Sequence, residues 1–135
     1  MAYWLFKQEP SSYSYSQLES DGRTVWDGVS NNLALKHLRS VRKGDKAFFY
    51  HTGDEKQIVG IIEITTDPRP DPKDKSLVIV DVKPAGRLAK PITLAAIKDD
   101  PEFAGWELVR ISRLSVMPVP PKLWDKVVKN GQMKN

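Results

Sequence analysis

A tryptophan beside a tight turn offers the first sign of chemistry in this chain. Trp26 precedes Asp27-Gly28, and Asn31 follows within about one helical turn. An indole gives a flat stacking face, and a carboxamide offers both a donor and an acceptor to the edge of a planar heterocycle. The same spacing also suits a core tryptophan that plugs the end of a sheet while Asn31 caps a helix, and spacing alone favours that reading. Acid–base chemistry is less well supported. Glu9, Glu63 and Asp81 could act as general bases, yet carboxylates that end or line strands more often pair or cap. Ser112 or Ser115 with His51 and Asp81 makes a nominal nucleophile–base–acid set, of a kind most chains of this length permit. His37 and His51 are the only histidines and lack ligand-spaced partners, so no metal is expected. The absence of cysteine excludes a disulfide scaffold, a thiolate zinc site and a cysteine nucleophile together. No phosphate-loop, dinucleotide or serine-elbow motif is present. The inventory points to a binding module that needs no cofactor.

Those residues must be positioned by short elements. Tyr3 to Phe6 reads as a buried strand that stops at Lys7-Gln8-Glu9-Pro10. Ser14 and Gln17 make a capping pair for a short helix closed near Gly22. Asn31 or Asn32 caps a second helix, with Ala34, Leu35, Leu38 and Val41 as its apolar stripe. Lys43-Gly44-Asp45 turns the chain into a strand over Ala47 to His51, and Ile58 to Ile64 is a β-branched strand. Three prolines between Asp67 and Asp74 predict a surface loop, after which a strand resumes at Leu77 to Val82. Thr93 caps a helix through Ile97, and Asp100-Pro101 starts a further turn. Glu107 to Ile111 and Leu114 to Val119 read as strands, and Pro120-Pro121 opens a last helix that ends at Gly131. Without long crossover helices, these elements predict one α+β, mainly β domain over residues 1–135. It would be a barrel-like sheet of five or six mostly antiparallel strands with short peripheral helices.

Charge adds a second feature. Lys and Arg number 21 against 17 Asp and Glu, a net charge of +4. The stretch holding Lys36, Arg39, Arg42, Lys43 and Lys46 contains only Asp45 in opposition, so it alone carries an excess of four. A solvated helix face explains this, and so does a patch that tracks phosphates. No apolar run is long enough for a leader or a membrane span, so a soluble cytoplasmic protein is expected, without a membrane partner.

Taken in order, YWLFKQEP, WDGVSNNLA, LRSVRKGDKAFFYHT, GIIEI, VDV, PITL and LVRISRLSVMPV resemble the EVE domain family from Tyr3 to about Trp124. The resemblance implies the PUA-like pseudo-barrel shared with YTH readers of methylated adenine. It also implies a non-enzymatic reader of modified bases, modified cytosine in DNA foremost, acting on a flipped base; a monomer is the expected state. By that resemblance Trp26 stacks on the base and Asn31 meets its polar edge. Lys7, Gln8 and Glu9 line the wall, Tyr50 and His51 the rim, and Arg113, Leu114 and Ser115 the far side. RNA binding on the same fold, a small-metabolite binder and an enzyme acting on a nucleobase are the alternatives. Gln8 stands where relatives commonly have serine, and Leu77 where they often have tryptophan. Both departures bear on which base fits.

Overall fold

The computed structural model describes residues 1–132. Its strands are β1 (Tyr3–Gln8), β2 (Thr24–Trp26), β3 (Lys46–His51), β4 (Gln57–Ile64), β5 (Arg69–Asp71), β6 (Asp74–Thr93) and β7 (Val116–Pro118). The helices are α1 (Tyr15–Asp21), α2 (Asn32–Ser40), α3 (Leu94–Lys98), α4 (Glu107–Arg110) and α5 (Pro121–Asn130), with a 3-10 turn at Pro101–Phe103. Hydrogen bonds order the sheet β2-β6-β4-β3-β1-β7, and β5 pairs with β6 off that path. Among the described residues only β1 and β3 pair in parallel. A parallel pair needs a crossover, here supplied by α1, β2 and α2. The architecture is the α+β, mainly β curled sheet that the pattern predicts.

Three of the helix caps expected from sequence form as read. Ser14 accepts from the Gln17 N–H, Asn31 from Ala34 and Thr93 from Ala96, each satisfying an orphan donor of the first turn. Gly22 closes α1 at φ 78°, a left-handed position open to glycine.

The strand expectations need four corrections. Glu107 to Ile111 is no strand: the Ile111 N–H bonds back to the Glu107 carbonyl at 2.7 Å, forming the single turn α4. Of Leu114 to Val119 only Val116–Pro118 is strand, because β1 offers just Trp4 to Phe6 as partners there. Within the proline loop, Arg69–Asp71 pairs with β6 at an edge, where a proline's missing donor costs nothing. Finally, β6 runs on to Thr93 instead of ending at Val82. Register shifts against β4 carry the pairing past Pro84, Gly86 and Pro91.

Strand alternation builds two aromatic layers on the β1–β3 pair, whose register sets Leu5 beside Phe48 and Phe6 beside Phe49. On one face, Trp124 of α5 is stacked between Tyr3 and Phe48, with ring centroids 4.3 and 3.9 Å apart. On the other, Phe6, Phe49, Trp26 and Tyr15 pack at 5.2 to 5.4 Å. The Tyr15 hydroxyl crosses to β4 and β6, 2.8 Å from the Ile61 carbonyl and 2.9 Å from that of Gly86. Gly60 makes room for this ring: a Cβ there would lie 2.6 Å from it. Gly60→Ala is therefore expected to lower stability by about 1–3 kcal/mol through overpacking. Urea unfolding measures this, and an unchanged midpoint would refute the close fit.

Candidate functional site

The period of two along β1 divides the residues expected in one pocket. Lys7 and Gln8 are neighbours, so their side chains leave opposite faces of the sheet. Register places Lys7 with Tyr50 and Gln8 with His51. Two cavities result. One, of about 360 Å³, is lined by Gln8, Tyr13, Thr24, Val25, Trp26 and Asp27. The other, of about 240 Å³, is lined by Lys7, Tyr50 and residues of the 52–56 turn, α3 and α4. No single pocket holds the whole expected set.

In the first cavity Trp26 is not a loop residue. It ends β2, pairs with Val80, and is only 4% exposed, with its ring against Phe6 and Phe49. That exposure leaves no ring face for stacking in this conformation. The indole N–H has no hydrogen-bond partner among the described residues, yet it is not among their sealed, unsatisfied atoms. It therefore keeps some accessible surface, in a residue that lines the cavity, and is available to donate. Gln8 uses its Oε1 as an acceptor for the Glu9 N–H at 3.3 Å, leaving its amide Nε2 available. Tyr13 is anchored by a 2.8 Å bond from its hydroxyl to Asp21 and lines the wall with its ring. Asp27, exposed at the turn, adds a carboxylate. The cavity combines donors, an acceptor and an aromatic wall.

Several expected ligand residues do structural work elsewhere. Asn31 Oδ1 caps α2 at 3.0 Å from the Ala34 N–H, and the residue is not among those lining the cavity. His51 is buried with both ring nitrogens engaged. The Tyr15 N–H donates to Nε2 at 3.1 Å, so Nδ1 carries the proton and donates to Glu55 at 2.8 Å. That bond holds the Glu55 carboxyl below the usual carboxylate range. Glu9 accepts from the Ser11 N–H and hydroxyl and faces His51 across a separate surface depression. Leu114 is buried, Arg113 is exposed, and the Ser115 carbonyl accepts from the Lys7 N–H at 2.9 Å along the edge of β1. None of these three lines either cavity.

A groove of about 480 Å³ lies near the first cavity. Arg39, Arg42, Arg69 and Lys75 line it against the single carboxylate of Asp67. Arg39 donates to the Ser76 carbonyl and Arg42 to the carbonyls of Arg39 and Val41, and neither pairs with a carboxylate among the described residues. Their charge is thus offered to solvent. Lys36, Lys43 and Lys46 belong to the same basic stretch but do not line the groove. Val78 lines it and lies two residues along β6 from Val80, the partner of Trp26, a separation of about 7 Å.

The sequence profile described as "EVE domain" matches residues 2–130. The chain belongs to this family. It superposes on the NMR structure of Rpa0253 from Rhodopseudomonas palustris with a TM-score of 0.94 and 44% identity, covering 100% of this chain and 96% of that one. Rat thymocyte nuclear protein 1 is 37% identical over 81 residues, a match spanning 51% of this chain and 36% of the rat protein. The matched segment thus spans about a third of the length of that relative. The crystal structure of human THYN1 protein with 5-methylcytosine-containing DNA has a TM-score of 0.91 at 24% identity, with all of both chains covered. At that identity the likeness speaks for the fold alone.

In this EVE domain, Tyr13, Thr24, Val25 and Asp27 line the cavity without standing out in the motifs. Asp27 was legible only as a turn former, and Tyr13 carried no signal beyond being aromatic near β1. Groove residues Arg69 and Lys75 were hidden in the proline loop and beyond it. Asp81 joins that loop to the sheet by accepting from Arg69 at 2.8 Å and Arg23 at 2.9 Å. The Arg69 hydrogen bond, ahead of that from Arg23, holds its carboxyl below the usual range. A depressed carboxyl stabilises the fold above its unfolded pKa of about 3.9, and the gain is lost as pH falls through the folded value. Asp81→Asn is expected to cost about 1 kcal/mol at pH 7, as both arginines are solvent-facing. The difference from the parent should shrink as pH falls below the unfolded value and vanish once pH has passed the depressed folded value. Urea unfolding across a descending pH series measures it, and a cost that does not shrink in acid would show that charge is not its source.

Proposed function

We propose that this EVE domain binds nucleic acid and reads a modified cytosine, flipped into the cavity of Gln8, Tyr13, Trp26 and Asp27, without turning it over. The observation that carries the reading is the set of donors and acceptors that the residues lining that cavity bring to it. Cytosine presents one amino donor at N4 and acceptors at N3 and O2 on its pairing edge. The Asp27 carboxylate matches the amino group, while Gln8 Nε2 and the Trp26 N–H match the acceptors. Thymine carries an acceptor where cytosine carries N4, and would set oxygen against the Asp27 carboxylate. Tyr13, held by Asp21, supplies the stacking face.

Energetics divide the task between cavity and groove. Unstacking a base costs about a few kcal/mol. Stacking on Tyr13 returns roughly 1–3 kcal/mol, and edge contacts add about 1–3 kcal/mol of discrimination. A buried methyl contributes only about 0.8 kcal/mol. Preference for a methylated over a plain cytosine is then about fourfold, and the choice of cytosine over thymine is larger. Arg39, Arg42, Arg69 and Lys75 hold phosphates and confer salt-dependent affinity. The human THYN1 protein was crystallised with 5-methylcytosine DNA, which supports the assignment of DNA as the partner.

Matched DNA and RNA oligonucleotides, plain and modified, titrated at fixed salt test the proposal. Asp27→Asn and Tyr13→Ala are each expected to weaken binding of the modified-cytosine DNA roughly tenfold or more. Trp26→Phe, which keeps the packed ring and removes the N–H, should reduce base preference without unfolding the domain. Equal affinity of these variants for every oligonucleotide, matching the parent, would sink the pocket reading. A preference for RNA throughout would move the partner to RNA. Arg39→Glu with Arg42→Glu should lower affinity for all sequences and flatten the salt slope by about 2. An unchanged slope would remove the groove from the path of the phosphates.

A further inference from the structure

The smaller cavity, on the opposite face of the β1–β3 pair from the base cavity, has its own charge logic. Three lysines from separate elements line it: Lys7 from β1, Lys56 from the turn before β4, and Lys98 from the last turn of α3. No carboxylate lines it, and none of the three lysines forms an ion pair among the described residues. Three lysines around one cavity of about 240 Å³, with no carboxylate in its lining, favour an anion there. Lys7 is the most constrained. Its Nζ donates to the Ser112 carbonyl at 3.0 Å and lies 5.5 Å from the centre of the Tyr50 ring. A carbonyl and a ring face orient this ammonium without neutralising it, and burial pushes its pKa down. Lys56 takes a left-handed backbone at φ 46°, unfavourable for a side-chain-bearing residue, while its carbonyl accepts from the Leu94 N–H at 2.8 Å. The remaining wall is apolar: Leu94, Leu108 and Val109 beside the Tyr50 ring.

We propose that this cavity is a second binding site, for a small organic oxyanion whose phosphate or carboxylate meets the three ammonium groups and whose single ring or short apolar body lies against Tyr50 and Leu108. The volume is below the usual range for drug-sized ligands of about 300–1,000 Å³, which limits that body to about one ring. The site is independent of base reading, because no residue lines both cavities.

Amide NMR of the full chain in about 150 mM salt, near the physiological ionic strength, provides the test, with inorganic phosphate, phenyl phosphate and benzoate as probes. Saturable shifts are expected at Tyr50, Gly53, Val109 and Ser112, with at least one of the two ring-bearing probes binding more tightly than inorganic phosphate. Whichever of those two binds tighter distinguishes a phosphate ligand from a carboxylate one. Lys7→Met and Lys98→Met should each weaken binding by about tenfold or more, the scale of one charge-assisted hydrogen bond. Lys98 is exposed, so its variant tests the site without disturbing the core, and amide dispersion reports that both variants are folded. The Lys7 ammonium should also titrate at higher pH when the probe is bound. Shifts that do not saturate, that centre on Arg39 and Arg42, or that persist in both methionine variants would overturn the site. Response of the same amides to methylated DNA alone, with none to the small anions, would assign the lysines to a DNA path and equally overturn it.

Discussion

The parallel pairing of β1 with β3 is the constraint on which both cavities depend. It sets Phe6 beside Phe49 on one face and Leu5 beside Phe48 on the other, so each face acquires its own aromatic layer. The strands end together at Gln8 and His51, and each layer stops at a different kind of mouth. The Phe6–Phe49 layer ends at Gln8, with Trp26 filling the corner from β2. The Leu5–Phe48 layer ends at Lys7 and Tyr50. A one-residue slip in this register would exchange the chemistry of the two mouths, because it would turn every side chain of β1 to the other face.

That register is held by polar contacts that leave little slack. Asp45, buried at the turn into β3, accepts from the Ala2 N–H, the Trp4 indole and the Arg42 N–H at 2.9 to 3.0 Å. One carboxylate therefore ties the start of β1 to the start of its parallel partner. At the other end, His51 ties the end of β3 to the first residue of α1 through the Tyr15 N–H. Tyr15 then reaches over Gly60 to the carbonyls of Ile61 and Gly86. Burying a charged or polar group is costly unless every bond is made. These two residues fix positions, and His51 has no ring nitrogen left for proton transfer.

Local features were well legible in the sequence, and spatial ones less so. The caps at Ser14, Asn31 and Thr93, the turn at Gly44 and the stripe on α2 follow from short-range chemistry, and all formed. The single turn α4 was misread because four residues of Glu-Leu-Val-Arg have no decisive period, and only the absence of a neighbouring strand decides for helix. The extent of β6 was hidden by Pro84, Gly86 and Pro91, which the register shifts accommodate. Of the residues expected together from sequence, Gln8 and Trp26 line one cavity, whereas Lys7 and Tyr50 line the other, as the period of two that sends Lys7 away from Gln8 requires. Asp27 was seen only as a turn residue, since a loop carboxylate gives no sign of what it faces.

The burial of Trp26 changes what selectivity can rest on. A tryptophan offering its whole face would bind any base, because every base has a π surface. A tryptophan that presents only its N–H adds no such tolerance and instead requires an acceptor on the base edge. Together with Gln8 Nε2 and the Asp27 carboxylate it would give a directional pattern in which two donors and one acceptor must be met at once. Leaving one of them unpaired would cost about 1–3 kcal/mol, more than a buried methyl contributes at about 0.8 kcal/mol. On the proposed reading, the polar edge chooses the base and the modification only adjusts affinity within that choice. Gln8 gains weight from this argument, since a serine in its place would withdraw a donor that reaches the edge and leave Trp26 to supply it alone.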